Sequence, residues 1–168
     1  MPQIRLLDSA DAEIYREIRL KSLKDNPEAF LAVYELEQEK SIEVTRNNLK
    51  PSDGRFTLGA FNEIDRVVGI VTFVRESGVK TNHKGNVYGM YVSPEFRGQG
   101  IGKALINKLV EQAKQCDGLE KINLTVISNN DAAKNLYRST GFTVYGTECN
   151  ALKDGGQYWD EDLMVLIL

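Results

Sequence analysis

Val87-Tyr88-Gly89-Met90-Tyr91-Val92-Ser93-Pro94-Glu95-Phe96-Arg97-Gly98-Gln99-Gly100-Ile101-Gly102-Lys103 is the stretch whose reading decides the fold. Its first six residues are apolar, aromatic or β-branched and predict a strand buried on both faces. Pro94 cannot donate to a ladder and turns the chain. From Ile101 a helix follows: Ile101, Leu105 and Leu109 form one row, with Ile106, Val110 and Ala113 beside it. Lys103, Asn107, Lys108, Glu111 and Lys114 take the wet side. The order is strand, glycine-rich turn, helix.

That order has a physical use. The first turn of a helix leaves backbone N–H groups unpaired, and the helix dipole adds partial positive charge there. Gly98, Gly100 and Gly102 keep side chains out of the way, and Arg97 adds a fixed, forked positive charge. The dipole contributes only about 0.3–1 kcal/mol at an exposed site. Specific binding therefore needs the whole cradle, which reads as a pyrophosphate site.

Two common phosphate motifs do not fit. Gly98 to Gly102 is one residue too short for a Walker A loop, and Ala104 stands where its hydroxyl belongs. A dinucleotide fingerprint would need glycine at Lys103. Arg-x-x-Gly-x-Gly after an apolar strand, with Tyr91-Val92-Ser93-Pro94-Glu95-Phe96 leading in, resembles the acetyl-CoA-binding motif of the GNAT superfamily of N-acetyltransferases. A second segment agrees. Asn130-Asp131-Ala132-Ala133-Lys134-Asn135-Leu136-Tyr137, followed by Gly141-Phe142, is similar to the family's N-x-x-A-x-x-x-Y…G-F pattern. The resemblance is close over residues 55–142 and looser before them.

Bulk properties bound the alternatives. The 168 residues suit one domain, 1–168, with 42% hydrophobic and 27% charged residues. A net charge of −3 argues against a nucleic-acid surface and leans toward a cationic partner. Nothing reads as a signal peptide or a membrane span, so a cytoplasmic protein is expected. Cys116 and Cys149 lie far apart and are expected reduced. One histidine, His83, in a polar loop, leaves no cluster for a catalytic zinc, and no metal is expected.

Taken in order, the pattern predicts a strand at Ile4–Leu7, a helix capped at Asp8 or Ser9 and running to about Leu23, and a second helix over Ala29–Lys40. A short helix capped by Ser41 is followed by strands at Phe56–Phe61 and Val67–Val74. Beyond the central helix come a strand at Lys121–Val126, a helix over Ala132–Ser139, a strand from Phe142, a turn at Asp154-Gly155-Gly156 and a last strand at Leu163–Leu168. The class is α/β with α+β character. The resemblance implies a mostly antiparallel mixed sheet of about seven strands with about four helices, split between the strand at Val87 and the strand at Ile122, with acetyl-CoA in the wedge.

The resemblance also implies roles. Backbone groups of Tyr91 and Val92 pair with the pantetheine arm. N–H groups from Arg97 through Gly98, Gln99, Gly100, Ile101, Gly102 and Lys103 hold the pyrophosphate. Asn130 bonds the pantetheine arm, and Tyr137 stands near the thioester sulfur as the acid. The reaction is acetyl transfer to a primary amine, small and cationic or of a peptide, by direct attack in a ternary complex; a homodimer is compatible with it. Freeing such an amine of its proton at pH 7 costs roughly 4–5 kcal/mol. The central strand carries no carboxylate; Glu35 or Glu76 could act only through water, and each reads more readily as part of a solvated face, which leaves the base unassigned. Gly89 reads as a bulge that bends the strand. Phe30, Tyr34, Glu35 and Glu39 on one side, with Tyr158, Trp159, Asp160, Glu161 and Asp162 on the other, form the expected acceptor face, aromatic and acidic. A non-catalytic acyl-CoA-binding module and an interaction protein that keeps only the fold stay open as alternatives.

Overall fold

The computed structural model describes all 168 residues. One sheet of seven strands carries them, in the order β1-β2-β3-β4-β5-β7-β6. The strands are β1 (Gln3–Leu6), β2 (Arg55–Phe61), β3 (Val67–Arg75), β4 (Lys84–Val92), β5 (Lys121–Ile127), β6 (Thr143–Asp154) and β7 (Gln157–Ile167). Every neighbouring pair is antiparallel except β4 with β5. Five α-helices complete it: α1 (Ala12–Asp25), α2 (Tyr34–Glu39), α3 (Ile42–Leu49), α4 (Ile101–Ala113) and α5 (Asp131–Ser139). No helix is long and apolar enough to cross a membrane.

Two apolar clusters lie on opposite faces of the sheet. Ile101, Leu105, Ile106, Leu109 and Ala113 of α4 pack with Phe56, Leu58, Phe73 and Val87, and the cluster reaches Tyr137, Phe142 and Met164. On the other face Ala12 and Ile18 of α1 and Leu49 of α3 meet Leu7, Ile70 and Tyr91. The amphipathic row read along α4 is therefore its buried face. A capping box formed by Asp8 and Asp11 starts the turn that leads into α1.

The parallel pairing of β4 with β5 is short. Lys84, Gly85 and Asn86 face Lys121, Ile122 and Asn123, and beyond that the two strands part. Gly89 helps them to. The register between β3 and β4 shifts between Ile70 and Thr72, an extra residue on β4, and Gly89 there has φ +61°. Such a bulge bends the strand, and a side chain would strain that backbone.

Two expectations change. The stretch Val87–Val92 is not buried on both faces, since Tyr88 is 54% exposed; a strand paired on one side for most of its length lacks the cover of a central parallel strand. The helix expected over Ala29–Lys40 shortens to α2. Pro27–Ala29 form a single 3₁₀ turn, and Phe30 is extended at φ −129°, ψ 142°. Tertiary position overrides propensity there, because this segment crosses the open end of the sheet beside β5.

Candidate active site

Where β4 and β5 part, a cavity of about 570 Å³ opens. One side of its wall is the end of β4, the turn after it and the start of α4; a second is Ile127 to Tyr137, at the end of β5 and along α5; the third is Asn26 to Phe30. The gap thus joins a glycine-rich turn, a tyrosine-bearing helix and an irregular segment from the opposite face.

The turn is built to present donors. Arg97 N–H bonds Pro94 O at 3.2 Å and Ala104 N–H bonds Gly100 O at 3.0 Å, but the N–H groups of residues 98 to 103 between them donate to nothing in the protein. Gly98 and Gly100 hold φ +77° and +80°, with open space where a Cβ would stand. Gly102 is glycine for a different reason: a Cβ there would meet Leu136 Cδ2 and Met90 Cε at 3.1 Å. Buried Ile101 fixes the start of α4 to the core, while Gln99 and Lys103 are exposed. A run of free N–H groups at a helix N-terminus fits a diphosphate.

Arg97 does more than add charge. Its Nε donates to Val92 O at 2.9 Å, Nη2 to Asn26 Oδ1 at 3.1 Å, and its guanidinium lies 5.7 Å from the Tyr91 ring centre. It ties the turn to β4 and to the segment after α1. Ser93 N–H bonds Val68 O at 2.9 Å, so by ladder alternation the backbone of Tyr91 faces Ile70 on β3, and that of Val92 faces the gap. The Tyr91 hydroxyl donates to Asp25 Oδ2 at 2.6 Å, and burial with that carboxylate pushes its pKa up.

Asn130 caps α5, its Oδ1 accepting from Ala133 N–H at 3.2 Å, which leaves its NH₂ free on the cavity side. Tyr137 lies seven residues on, in the cavity wall, 7% exposed and edge-on to Phe142. Its hydroxyl has no protein partner, and burial holds it protonated well above the usual phenol range. The first turn of α5 is anchored by buried Asp162, which accepts from Lys134 Nζ at 2.7 Å, Ser128 Oγ at 2.7 Å and Thr147 Oγ1 at 2.9 Å.

On the third side the structure revises the expected acceptor face. Phe30 is in the wall. Tyr34 and Glu35 lie on α2 outside it, Glu35 exposed, and Trp159 sits half-buried in the β6–β7 hairpin opposite Leu152. Asp162 is spent on α5. Glu76 pairs with Lys84 Nζ at 3.3 Å, at the closed end of the gap, too far along the strand to serve as its base. The carboxylate that does line the cavity is Glu28. Asn26, Glu28 and Met90 escaped the sequence reading. Asn26-Pro27-Glu28 carries the signal of a helix break and nothing more, while Met90 was visible only as part of an apolar strand.

Residues 12–142 match the family model of the acetyltransferase (GNAT) family. Solved structures agree along the whole length. An acetyltransferase of the GNAT family from Streptococcus pneumoniae is 23% identical, with 100% of each chain covered and a TM-score of 0.86. A ribosomal-protein-alanine N-acetyltransferase from Brucella melitensis is 26% identical over 99% of each chain, at 0.79. A GNAT superfamily phosphinothricin acetyltransferase from Sinorhizobium meliloti, solved in complex with acetyl-CoA, is 23% identical over 99% of this chain and 88% of its own, at 0.83.

Proposed function

Because this chain belongs to the acetyltransferase (GNAT) family and transfers acetyl groups from acetyl-CoA, we propose that its acceptor is a primary amine, of a small molecule or a peptide, bound at the Asn26–Phe30 side of the gap. One observation carries the reading: a single cavity joins the free N–H groups after Arg97, the hydroxyl-bearing Tyr137 and the Glu28–Phe30 segment. We read the 168 residues as one domain, since one continuous sheet contains every strand. The Brucella relative, named for a ribosomal-protein alanine, keeps peptide amines among the acceptors to be tried.

The N–H groups of residues 98 to 103 hold the diphosphate, with Arg97 bracing the turn that carries them. Val92 N–H and the Asn130 NH₂ hold the pantetheine arm. When bound, acetyl-CoA supplies a thioester whose carbonyl carbon a neutral amine attacks directly, a C–N bond forming as the C–S bond breaks. Glu28 takes the ammonium proton, through water, before attack. At pH 7 that deprotonation costs roughly 4–5 kcal/mol for an unperturbed amine. Tyr137 donates its proton to the departing sulfur and regains one, through water, from the nitrogen as the amide forms. Its raised pKa suits a donor, because the hydroxyl keeps its proton over the whole range in which amines lose theirs.

The test is a panel of small amines and peptides assayed for CoA-thiol release, with the acetylated product identified by mass. Release matched by an N-acetylated product supports the reading. Acetylation of a hydroxyl or thiol with no amide formed overturns it.

A further inference from the structure

α5 carries two groups of the site, Asn130 at its cap and Tyr137 near its end. The helix has nine residues, and Tyr137 is the only one of them that is buried. A helix this short, with so little of itself sealed in the core, is poorly located by burial alone. What holds its first half is polar. Lys134 Nζ donates to Asp162 Oδ2 at 2.7 Å and to Ser128 O at 3.1 Å. Asp162 lies on β7, in register with Val126 of β5 and Thr147 of β6. One ion pair thus fastens α5 to β7, to β6 through Thr147 Oγ1, and to the turn before its own cap through Ser128.

Stability alone does not call for an ion pair there. Both side chains are nearly closed off from water, and removing two charges from water offsets much of what their attraction returns. An apolar pair of similar volume is often as stable or more so. What such a pair lacks is a single geometry, since apolar contacts slide, whereas a carboxylate held by three donors does not. Lys134 stands one helical turn before Tyr137, so a tilt or slip of that turn carries the phenol with it. Misplacing a reacting group by about 1 Å can cost ~10²-fold in rate.

We propose that Lys134 and Asp162 are positioning residues of acetyl transfer, acting through Tyr137: their pair sets the height and rotation of α5 so that the phenol meets the departing sulfur. The proposal rests on the reading of Tyr137 as the acid. Neither residue is in the cavity wall, so neither touches acetyl-CoA or the acceptor.

The experiment measures CoA-thiol release for wild type, Lys134→Met, Tyr137→Phe and the two changes together. It uses the fastest amine of the panel above and, with no amine, the hydrolysis of acetyl-CoA by water. Lys134→Met is expected to lower kcat by ~10-fold or more while KM for acetyl-CoA moves by about threefold or less, because the phenol is displaced and the N–H groups of residues 98 to 103 are not. In Tyr137→Phe the same change is expected to cost nothing further, since no phenol is left to misplace. A second comparison separates position from stability. Lys134→Met/Asp162→Leu replaces the pair by apolar side chains, and Ser128 and Thr147 are near enough to the surface for water to take their hydroxyls. This variant is expected to recover the Tm that Lys134→Met alone loses and to keep the low kcat; where Tm does not return, the first cycle decides by itself. Wild-type kcat in Lys134→Met, losses that multiply in the combined variant, or a kcat that returns with Tm in the apolar pair overturns the proposal and leaves Tyr137 as the acid. An unchanged kcat in Tyr137→Phe overturns the acid reading, and the proposal with it.

Discussion

The two long walls of the gap are made in different ways. On the α4 side the chemistry is backbone: N–H groups of residues 98 to 103, freed by a helix start and exposed by glycines at φ near +80°. On the opposite side it is side chain: Glu28 and Phe30 from a segment with a single 3₁₀ turn. The first wall is a local structure whose free N–H groups suit a diphosphate. The second exists only because a segment without regular structure is laid across the end of a sheet. The α4 wall should accordingly tolerate the loss of side chains and fail where a new side chain occupies its N–H groups, and the opposite wall should fail on the loss of its own side chains.

Gly100→Asp tests the first half and should have the largest effect. Asp adopts positive φ more readily than most residues and is a favoured N-cap, and nothing lies within 4 Å of the new Cβ. The fold should therefore hold, while the carboxylate takes the N–H groups meant for phosphate. Loss of the acetyl-CoA-induced Tm shift and a rise in KM for acetyl-CoA of ~10²-fold or more are expected, from several charge-assisted hydrogen bonds lost together. An unchanged shift would mean that the diphosphate is held elsewhere. Gly102→Glu is a poorer test, because its Cβ would press on Leu136 and Met90 whatever the ligand does.

Tyr137→Phe comes next. Removing one hydroxyl with no protein partner should leave Tm and acetyl-CoA affinity close to wild type while lowering kcat by ~10²-fold, the usual worth of a positioned acid. The pH profile sharpens the point. Since burial raises this phenol above its ordinary value of ~10, kcat/KM should climb with amine deprotonation and show no descending limb below about pH 10. A fall beginning near pH 9, lost in Tyr137→Phe, would show a phenol titrating in its ordinary range.

On the acceptor wall Glu28→Gln keeps the shape and removes the charge. We expect kcat/KM to drop by ~10-fold near pH 7 and to recover as the solution itself deprotonates the amine above pH 9. A uniform drop at every pH would leave Glu28 a binding role and no part in proton removal.

The same division explains what could be read in advance. The pattern Arg97-Gly98-Gln99-Gly100 encodes its wall within a few residues, because glycine, helix start and preceding strand are neighbours in sequence. The splayed sheet was legible too, through Gly89 and the family pattern. Phe30 was found but its setting was not: helical periodicity over Ala29–Lys40 put Tyr34 and Glu35 beside it, whereas the extended backbone at Phe30 separates them. Glu28 has no local signature. It acquires meaning only from the elements that pack around it, an acid in a helix break.

The smallest expected effect concerns the anchor of α5, where side chains support the cofactor wall. Asp162 is held down to about 2, chiefly by the Lys134 hydrogen bond and then by Ser128, against an ordinary value near 3.8. A carboxyl depressed in the folded state stabilises it fully above the unfolded value, and that contribution is lost as pH falls from about 4 toward 2. Asp162→Asn should be less stable than wild type at pH 7, with Lys134 left unpaired, yet show a flatter decline in Tm between pH 4 and 2. If the cradle is a backbone device seated on α4, this variant should retain most of the acetyl-CoA Tm shift at pH 7, losing only what Asn130 adds. Disappearance of the shift would show that the cofactor wall depends on α5 side chains as heavily as the acceptor wall depends on its own, and the contrast between the two walls would fail.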